Sequence, residues 1–446
     1  MINVGMVTLG CPKNTVDSEV MLGVMKQNNL NLCRNLSDAD VVVVNTCAFI
    51  EPAKKESIDT ILKINELRET GRLKGLVVAG CLVNKYQKEL LQELKEADAF
   101  IGTSNLNQVV NAIQLALNKN GKPKDAYFSR QPKEIYDHLS ERRQLTPSYF
   151  AYLKISEGCS NTCKFCSIPM MRGKNRSRRM ESLVEEAEML AQNGVRELNV
   201  IGQDTTDYGT DIYHEPKLAE LLRRLTQIKK IKWIRLFYAF PAHLTDEMIE
   251  VISQEKKICS YLDMPIQHID DELLLQMNRK LDGKGTLKLI EKLRSRIPNL
   301  GLRSTLIVGL PGETEEKFER LHEAVKQIRF ERLGVFPFSQ EEHVPAAKMK
   351  GQVSESVKKK RVATLMETQQ QISRENNQKK VGEEIEVLIE ETPRQEGASC
   401  AGRSEWDGPE IDGMVYLTHG NFKPGSFVLS KVTDFSDYDL IAQPLE

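Results

Sequence analysis

The sequence predicts an α/β protein in three parts: an N-terminal parallel α/β domain (1–118), a central partial (β/α) barrel (145–375) and a small C-terminal all-β barrel (378–446). Three observations predict it. Short apolar runs alternate with helical patterns at the start of the chain, a second such alternation begins near Tyr149, and after Glu383 the pattern turns to short β-rich runs punctuated by turns. A chain of 446 residues, 40% hydrophobic and 28% charged, has the length of about three domains and an ordinary globular composition.

In the first part, residues 4–9 read as a strand followed by a helix over 16–27. The continuous apolar run 41–44 is expected as a buried strand with a helix near 53–64, and 76–79 as a third strand with a helix after Lys85. Strands joined through helices pair in parallel. The stretch 118–125, with its Gly, Lys and Pro, and the polar run to Pro147 read as a linker. In the second part, candidate strands lie at 149–155, 197–201, 233–237, 261–264, 303–308 and 333–336, most separated by charged, helix-like segments such as 181–192 and 271–277. Such a barrel carries its chemistry at the carboxyl ends of the strands. A long polar helix over Glu355–Lys379 leads out of it. The runs 385–389, 413–417 and 426–432, with turns at Pro409, Asp412-Gly413 and Pro424-Gly425, then fit a small β-barrel.

No apolar stretch approaches the ~18 residues of a membrane helix, and no basic segment followed by an apolar run opens the chain. A soluble, cytoplasmic protein with no membrane partner is therefore expected. In a reducing cytosol its nine cysteines are more naturally metal ligands or catalytic groups than disulfides. The net charge of −1 gives no global pull toward nucleic acid, but residues 383–446 hold 14 acidic and 4 basic side chains, a net of −10.

Cys159-Ser-Asn-Thr-Cys163-Lys-Phe-Cys166 follows the first strand of the second series. Three thiols on one loop can hold an iron–sulfur or zinc centre. A structural zinc wants a fourth ligand, whereas the nearest histidines are His138 and His214. A three-cysteine iron–sulfur cluster instead leaves one iron open. Cys11, Cys47 and Cys81 each follow a predicted strand of the first part, so they converge over one edge of the sheet and form a second three-thiol site. The alternative is that each is a small buried hydrophobe. Cys33, Cys259 and Cys400 fit neither group and are assigned to packing or loops.

The C-x3-C-x2-C loop at the start of a partial (β/α) barrel resembles the radical S-adenosylmethionine superfamily. The resemblance implies that Cys159, Cys163 and Cys166 hold a [4Fe–4S] cluster whose open iron binds S-adenosylmethionine, and that one electron cleaves this cofactor to a 5′-deoxyadenosyl radical. It further implies that the backbone at Phe165 faces the adenine and that the strand Thr305–Glu313, with Ile307 and Gly309, supports it. Gly202, Gln203 and Gln267 follow predicted barrel strands and should face the cofactor. His268 is expected to orient backbone rather than titrate.

Gly10-Cys11-Pro12-Lys13-Asn14, Asn45-Thr46-Cys47 and Ala79-Gly80-Cys81 closely resemble the N-terminal domain of methylthiotransferases, and Pro409-Glu410-Ile411-Asp412-Gly413 resembles a TRAM domain. Gly10 and Gly80 would allow close backbone approach to a bulky cofactor. Asn14 and Asn45 are candidate donors to cluster sulfurs, with turn or cap chemistry as the alternative; Asp17 fits a helix cap. The basic run Arg172, Lys174, Arg176, Arg178 and Arg179 is either a solvated face or an anchor for an acidic group.

Within that family the Pro-Lys after Cys11 resembles the branch that methylthiolates the β-carbon of an aspartate in protein twelve of the small ribosomal subunit, rather than the branch acting on tRNA adenosine. The acidic C-terminal part agrees, since it would repel RNA and attract a basic ribosomal protein. The resemblance implies two [4Fe–4S] clusters, two molecules of S-adenosylmethionine and a flavodoxin- or ferredoxin-type reductant. The competing expectations are a tRNA-modifying relative, an iron–sulfur electron carrier and a zinc-stabilised ribosome-binding module.

Overall fold

The computed structural model describes residues 1–118, 126–127, 135–391 and 399–445. The N-terminal part is an all-parallel sheet of β1 (Asn3–Thr8), β2 (Asn31–Leu32), β3 (Val41–Thr46), β4 (Gly75–Gly80), β5 (Ala99–Ile101) and β6 (Ala126–Tyr127), in the order β2-β1-β3-β4-β5-β6. β3 and β4 are buried along their whole length, as central parallel strands covered on both faces must be. The two-residue alternation sends Val41 and Val43 to the face shared with Val20, Met21 and Ile113, and Val42 and Val44 to the face shared with Ile61, Leu76 and Phe100. The register sets Thr8 beside Asn45 and Asn45 beside Ala79, so β1, β3 and β4 end together.

The stretch expected as a linker is structured in part: Ala126–Tyr127 pairs with β5 as the last strand of the sheet. The remainder of the expected 118–125 linker, from 119 onward, lies outside the described residues.

The central part is a second all-parallel, open sheet of β7 (Phe150–Lys154), β8 (Glu197–Ile201), β9 (Trp233–Leu236), β10 (Ile258–Asp263), β11 (Gly301–Val308) and β12 (Arg332–Pro337), adjacent in chain order. Its outer face packs Leu198, Val200, Ile234 and Leu302 against helix residues such as Leu183, Leu222, Ile249 and Leu321. Helix starts are fixed locally: Thr245, Asp270, Asp282 and Thr314 accept from the N–H groups of Met248, Leu273, Gly285 and Lys317. A different set of sheet residues, Phe150, Tyr152, Trp233, Phe237 and Tyr261, packs with Val16 from the N-terminal part and Leu388 from the C-terminal part. Both flanking parts therefore help to close the sheet.

The C-terminal part is a closed barrel of β13 (Glu384–Glu391), β14 (Cys400–Arg403), β15 (Val415–Leu417), β16 (Phe427–Phe435) and β17 (Leu440–Pro444), ordered β13-β14-β15-β17-β16. Buried charges dock it. Glu197 of β8 binds Arg403 at 2.5 Å and Arg235 at 2.9 Å, and all three side chains are buried. Asp407 pairs with Arg332 at 2.5 Å, and Asp412 pairs with Arg303 at 3.3 Å while accepting from the Tyr261 hydroxyl at 2.8 Å. Glu383, Glu386 and Asp437 pair with Lys380, Lys232 and Arg374. Four of the 14 acidic residues read as an electrostatic surface, Glu386, Asp407, Asp412 and Asp437, are thus paired with cations outside the small barrel.

Candidate active site

Cys159, Cys163 and Cys166 lie on the loop between a short ribbon strand (Ser156–Glu157) and the helix Ile168–Arg172. Gly158 opens the loop with φ +80°, and a Cβ there would lie 2.2 Å from the Lys174 carbonyl oxygen, so only glycine lets the two segments meet. Each sulfur has a polar neighbour: Asn161 Nδ2 lies 3.6 Å from Cys159 Sγ, Arg279 Nη1 3.7 Å from Cys163 Sγ, and the Ile168 N–H 3.5 Å from Cys166 Sγ. Asn161 is held in turn by Asp204, which also contacts His243 Nδ1 at 2.9 Å. Burial pushes the Cys159 thiol up to about 11 and Cys166 to about 12, so ligation must expel protons from both.

The residues expected around a cofactor surround this loop. Phe165 and Ile307 pack in one apolar cluster with Leu273, Met277, Leu310 and Phe338. Gly202 lies against Ser156, where a Cβ would come within 2.9 Å of the Ser156 hydroxyl oxygen. Gln203 donates to Glu157 at 3.0 Å, and Gln267 stands at φ 71° with its backbone bridged to Thr305 and Ile307. The Oε1 atoms of Gln203 and Gln267 are buried without a partner among the described residues, two acceptors that suit a ligand rich in donors. Gly309 has another reason to be glycine: its φ is +75° and the stem of Lys358 fills the space of a side chain. His268 Nδ1 accepts from the Asp270 N–H at 3.0 Å, an orienting role.

The second trio sits at the carboxyl ends of adjacent strands. Cys11 precedes the helix Pro12–Gln27 as its extended cap residue, Cys47 directly follows β3, and Cys81 opens the helix Cys81–Lys85 after β4. Gly10 (φ +92°) and Gly80 (φ +96°) are required by crowding: a Cβ would meet Cys47 Cβ at 2.7 Å or Asn45 Oδ1 at 2.4 Å. The three thiols lie within each other's field, for the charges of Cys47 and Cys11 both act on Cys81. Burial drives Cys81 to about 12 and raises Cys47. Burial also opposes ionisation of Cys11, but Lys13, Arg172 and the N–H groups of Asn14 and Lys13 outweigh it and lower its pKa. Among the described residues no three His, Cys, Asp or Glu side chains close on a single metal ion. All-thiol donor sets with neighbouring cations suit a larger anionic iron–sulfur centre.

Asn14 and Asn45 do not serve as expected. Asn14 Nδ2 donates to the carbonyls of Leu9 and Thr46, and Asn45 Nδ2 to the Asn14 carbonyl and the Ser18 hydroxyl, so their donors tie the strand ends together. The basic run is neither a solvated face nor an open anchor at its two buried members. Arg172 is fully buried and reaches Asp17 at 3.0 Å, Glu157 at 2.8 Å and Asn14 Oδ1 at 2.6 Å. Arg178 binds Glu186 at 2.5 Å. Asp17, read as a cap, accepts from Lys154 as well as Arg172, and Lys154 also holds Glu157 at 2.7 Å. This four-residue network of Asp17, Lys154, Glu157 and Arg172 docks the first trio's sheet onto the second trio's loop.

Sequence reading missed Lys154 and Arg279 as parts of the site. A lysine inside the otherwise apolar strand 150–155 was the available signal, since a buried strand tolerates a charge only when it is paired.

Three family models match successive parts of the chain: an uncharacterized protein family, UPF0004, over residues 3–102, the radical SAM superfamily over 153–325 and a TRAM domain over 381–445. The chain is 46% identical over 440 residues to the ribosomal protein uS12 methylthiotransferase RimO of Citrifermentans bemidjiense, covering 99% of this chain and 98% of that one. It is 48% identical over 441 residues to the protein of the same name in Myxococcus xanthus, covering 99% and 91%. Among solved structures, the radical S-adenosylmethionine methyltransferase TsrM of Kitasatospora setae superposes with a TM-score of 0.56 at 15% identity over 77% of this chain and 76% of that one. The cobalamin-dependent radical enzyme OxsB gives a TM-score of 0.53 at 11% identity over 82% and 56%. These two show a shared fold.

Proposed function

Because the chain belongs to the RimO family of ribosomal protein uS12 methylthiotransferases, we propose that it inserts a methylthio group at the β-carbon of an aspartate in that ribosomal protein. The observation that carries the reading is the docking of two three-cysteine sites through one buried charge network. Cys159, Cys163 and Cys166 would hold one [4Fe–4S] cluster, and Cys11, Cys47 and Cys81 the other. When bound, the first would supply radical chemistry with S-adenosylmethionine and the second a site for the sulfur that is transferred.

The chain's own residues orient and shield. Gln203 and Gln267 offer their unpaired acceptors to the cofactor's amino or hydroxyl donors, and the cluster of Phe165, Ile307 and Leu310 excludes water from its ring. Arg172 and Lys154 hold Glu157 and Asp17 so that the two loops cannot drift apart. Glu157 links this network to Gln203 and hence to the cofactor pocket. A flavodoxin- or ferredoxin-type protein would deliver the electrons, and tRNA is not the substrate.

The test is incubation of anaerobically reconstituted enzyme, S-adenosylmethionine and a strong reductant with uS12 and, separately, with tRNA. Release of 5′-deoxyadenosine and a methylthio mass gain on a uS12 aspartate are expected. A gain on tRNA alone overturns the substrate, and absence of 5′-deoxyadenosine overturns the reaction.

A further inference from the structure

We propose that Lys13 reads the carboxylate of the substrate aspartate and thereby selects an acidic over a neutral side chain. The inference rests on the function proposed above and assigns the specificity of that site.

Lys13 is 7% exposed, in the first turn after Cys11, and its Nζ lies 3.3 Å over the ring of Tyr238. Other buried cations here face carboxylates: Lys85 has Glu341, Lys154 has Asp17 and Glu157, Arg142 has Glu19 and Glu186, and Arg235 and Arg403 share Glu197. Lys13 has none within ion-pair distance among the described residues. The groups acting on it are Tyr238, Cys11 and Arg172. Burying a cation without an anion is costly, and a protein that bears this cost at one position leaves room for an anion that arrives later.

The position suits a substrate. Tyr238 follows β9 at the carboxyl end of the barrel sheet and is held in the left-handed region at φ 59°. Its N–H donates to Asp263 at 3.2 Å and its carbonyl accepts from the Thr205 N–H at 3.1 Å. Asp263, the carboxylate on this side, is bound to Arg303 at 3.0 Å. Strained backbone at the mouth of a barrel is a mark of function. The Lys13–Tyr238 contact therefore joins the helix that follows Cys11 to the carboxyl end of the barrel sheet. The β-carbon of aspartate is bonded directly to its carboxylate carbon, so a cation that fixes the carboxylate places the reacting carbon within one bond. Arg172 and Lys13 both lend positive charge to Cys11, but Arg172 is also bound to Asp17 and Glu157, whereas Lys13 has no carboxylate within ion-pair distance among the described residues.

The experiment measures affinity of the unreduced, cluster-loaded enzyme for recombinant uS12 and for its variant with the target aspartate replaced by asparagine. Wild-type enzyme should favour the aspartate form about tenfold to a hundredfold. Lys13→Met should bring that ratio close to one with iron content unchanged, and Lys13→Arg should retain the preference. Because the ratio is read within each variant, partial misfolding lowers both affinities and leaves it intact. An undiminished preference in Lys13→Met overturns the inference, as does a change confined to iron content or cluster absorption, which would assign the charge to the cluster. If wild-type enzyme neither binds nor methylthiolates uS12, it is the proposed function that falls.

Discussion

At the scale of single residues, burial resists ionisation of four of the six site thiols, Cys47, Cys81, Cys159 and Cys166. Cys81 sits at about 12 because it is buried, against an ordinary value of 9.0. A thiol whose pKa is raised in the folded state adds stability that is fully present below the unfolded value and is lost as pH climbs toward the folded one. Metal-free protein should therefore lose stability as pH rises above about 9, and Cys81→Ala should flatten that loss in denaturant melts taken at successive pH values. A slope unchanged by the substitution would count against it. The six cysteines were legible in the sequence because three share one loop and three fall at strand ends. Lys154 and Arg172 were not, since their partner Asp17 is 137 and 155 residues away. No local pattern encodes such a pairing.

Among elements, long apolar runs carried the sequence reading. Five of the six barrel strands and the helix Glu355–Lys379 lie within two residues of their expected bounds, and β10 begins three residues before its expected start. The short strands β2, β5, β6, β14 and β17 escaped, because segments of two to five residues borrow their conformation from neighbours rather than from composition. The small barrel's docking was equally invisible, for its acidic residues read as a surface until Arg303 and Arg332 appear opposite them. Burial opposes ionisation of Glu197, but Arg403 and Arg235 prevail and hold its carboxyl below the ordinary 4.5. The lowered pKa gives stability present above the unfolded value and lost as pH falls through the folded one. Arg403→Met should cost about 3 kcal/mol at neutral pH. It should also weaken the acid dependence below about pH 4.5, both read by thermal melts across pH.

For the whole molecule, the two thiol trios belong to two separate sheets, so each should load on its own. The Cys159→Ala/Cys163→Ala/Cys166→Ala variant should retain about four irons per chain where wild type holds about eight. A variant that binds none would mean that the N-terminal trio holds no centre of its own. The three-part architecture was legible from the change of pattern along the chain, whereas how the parts seat on one another was not. The Asp17–Lys154–Glu157–Arg172 lock, with Asp17 from the N-terminal part and the other three from the central part, has a consequence for anyone who recombines this fold. Grafting the first domain of one relative onto the body of another transplants one of the four, Asp17, without its three partners, and any mismatch strands a charge at the seam. Such hybrids should succeed only when donor and recipient carry the same quartet, so these four positions form one inheritable module that ignores the boundary between domains.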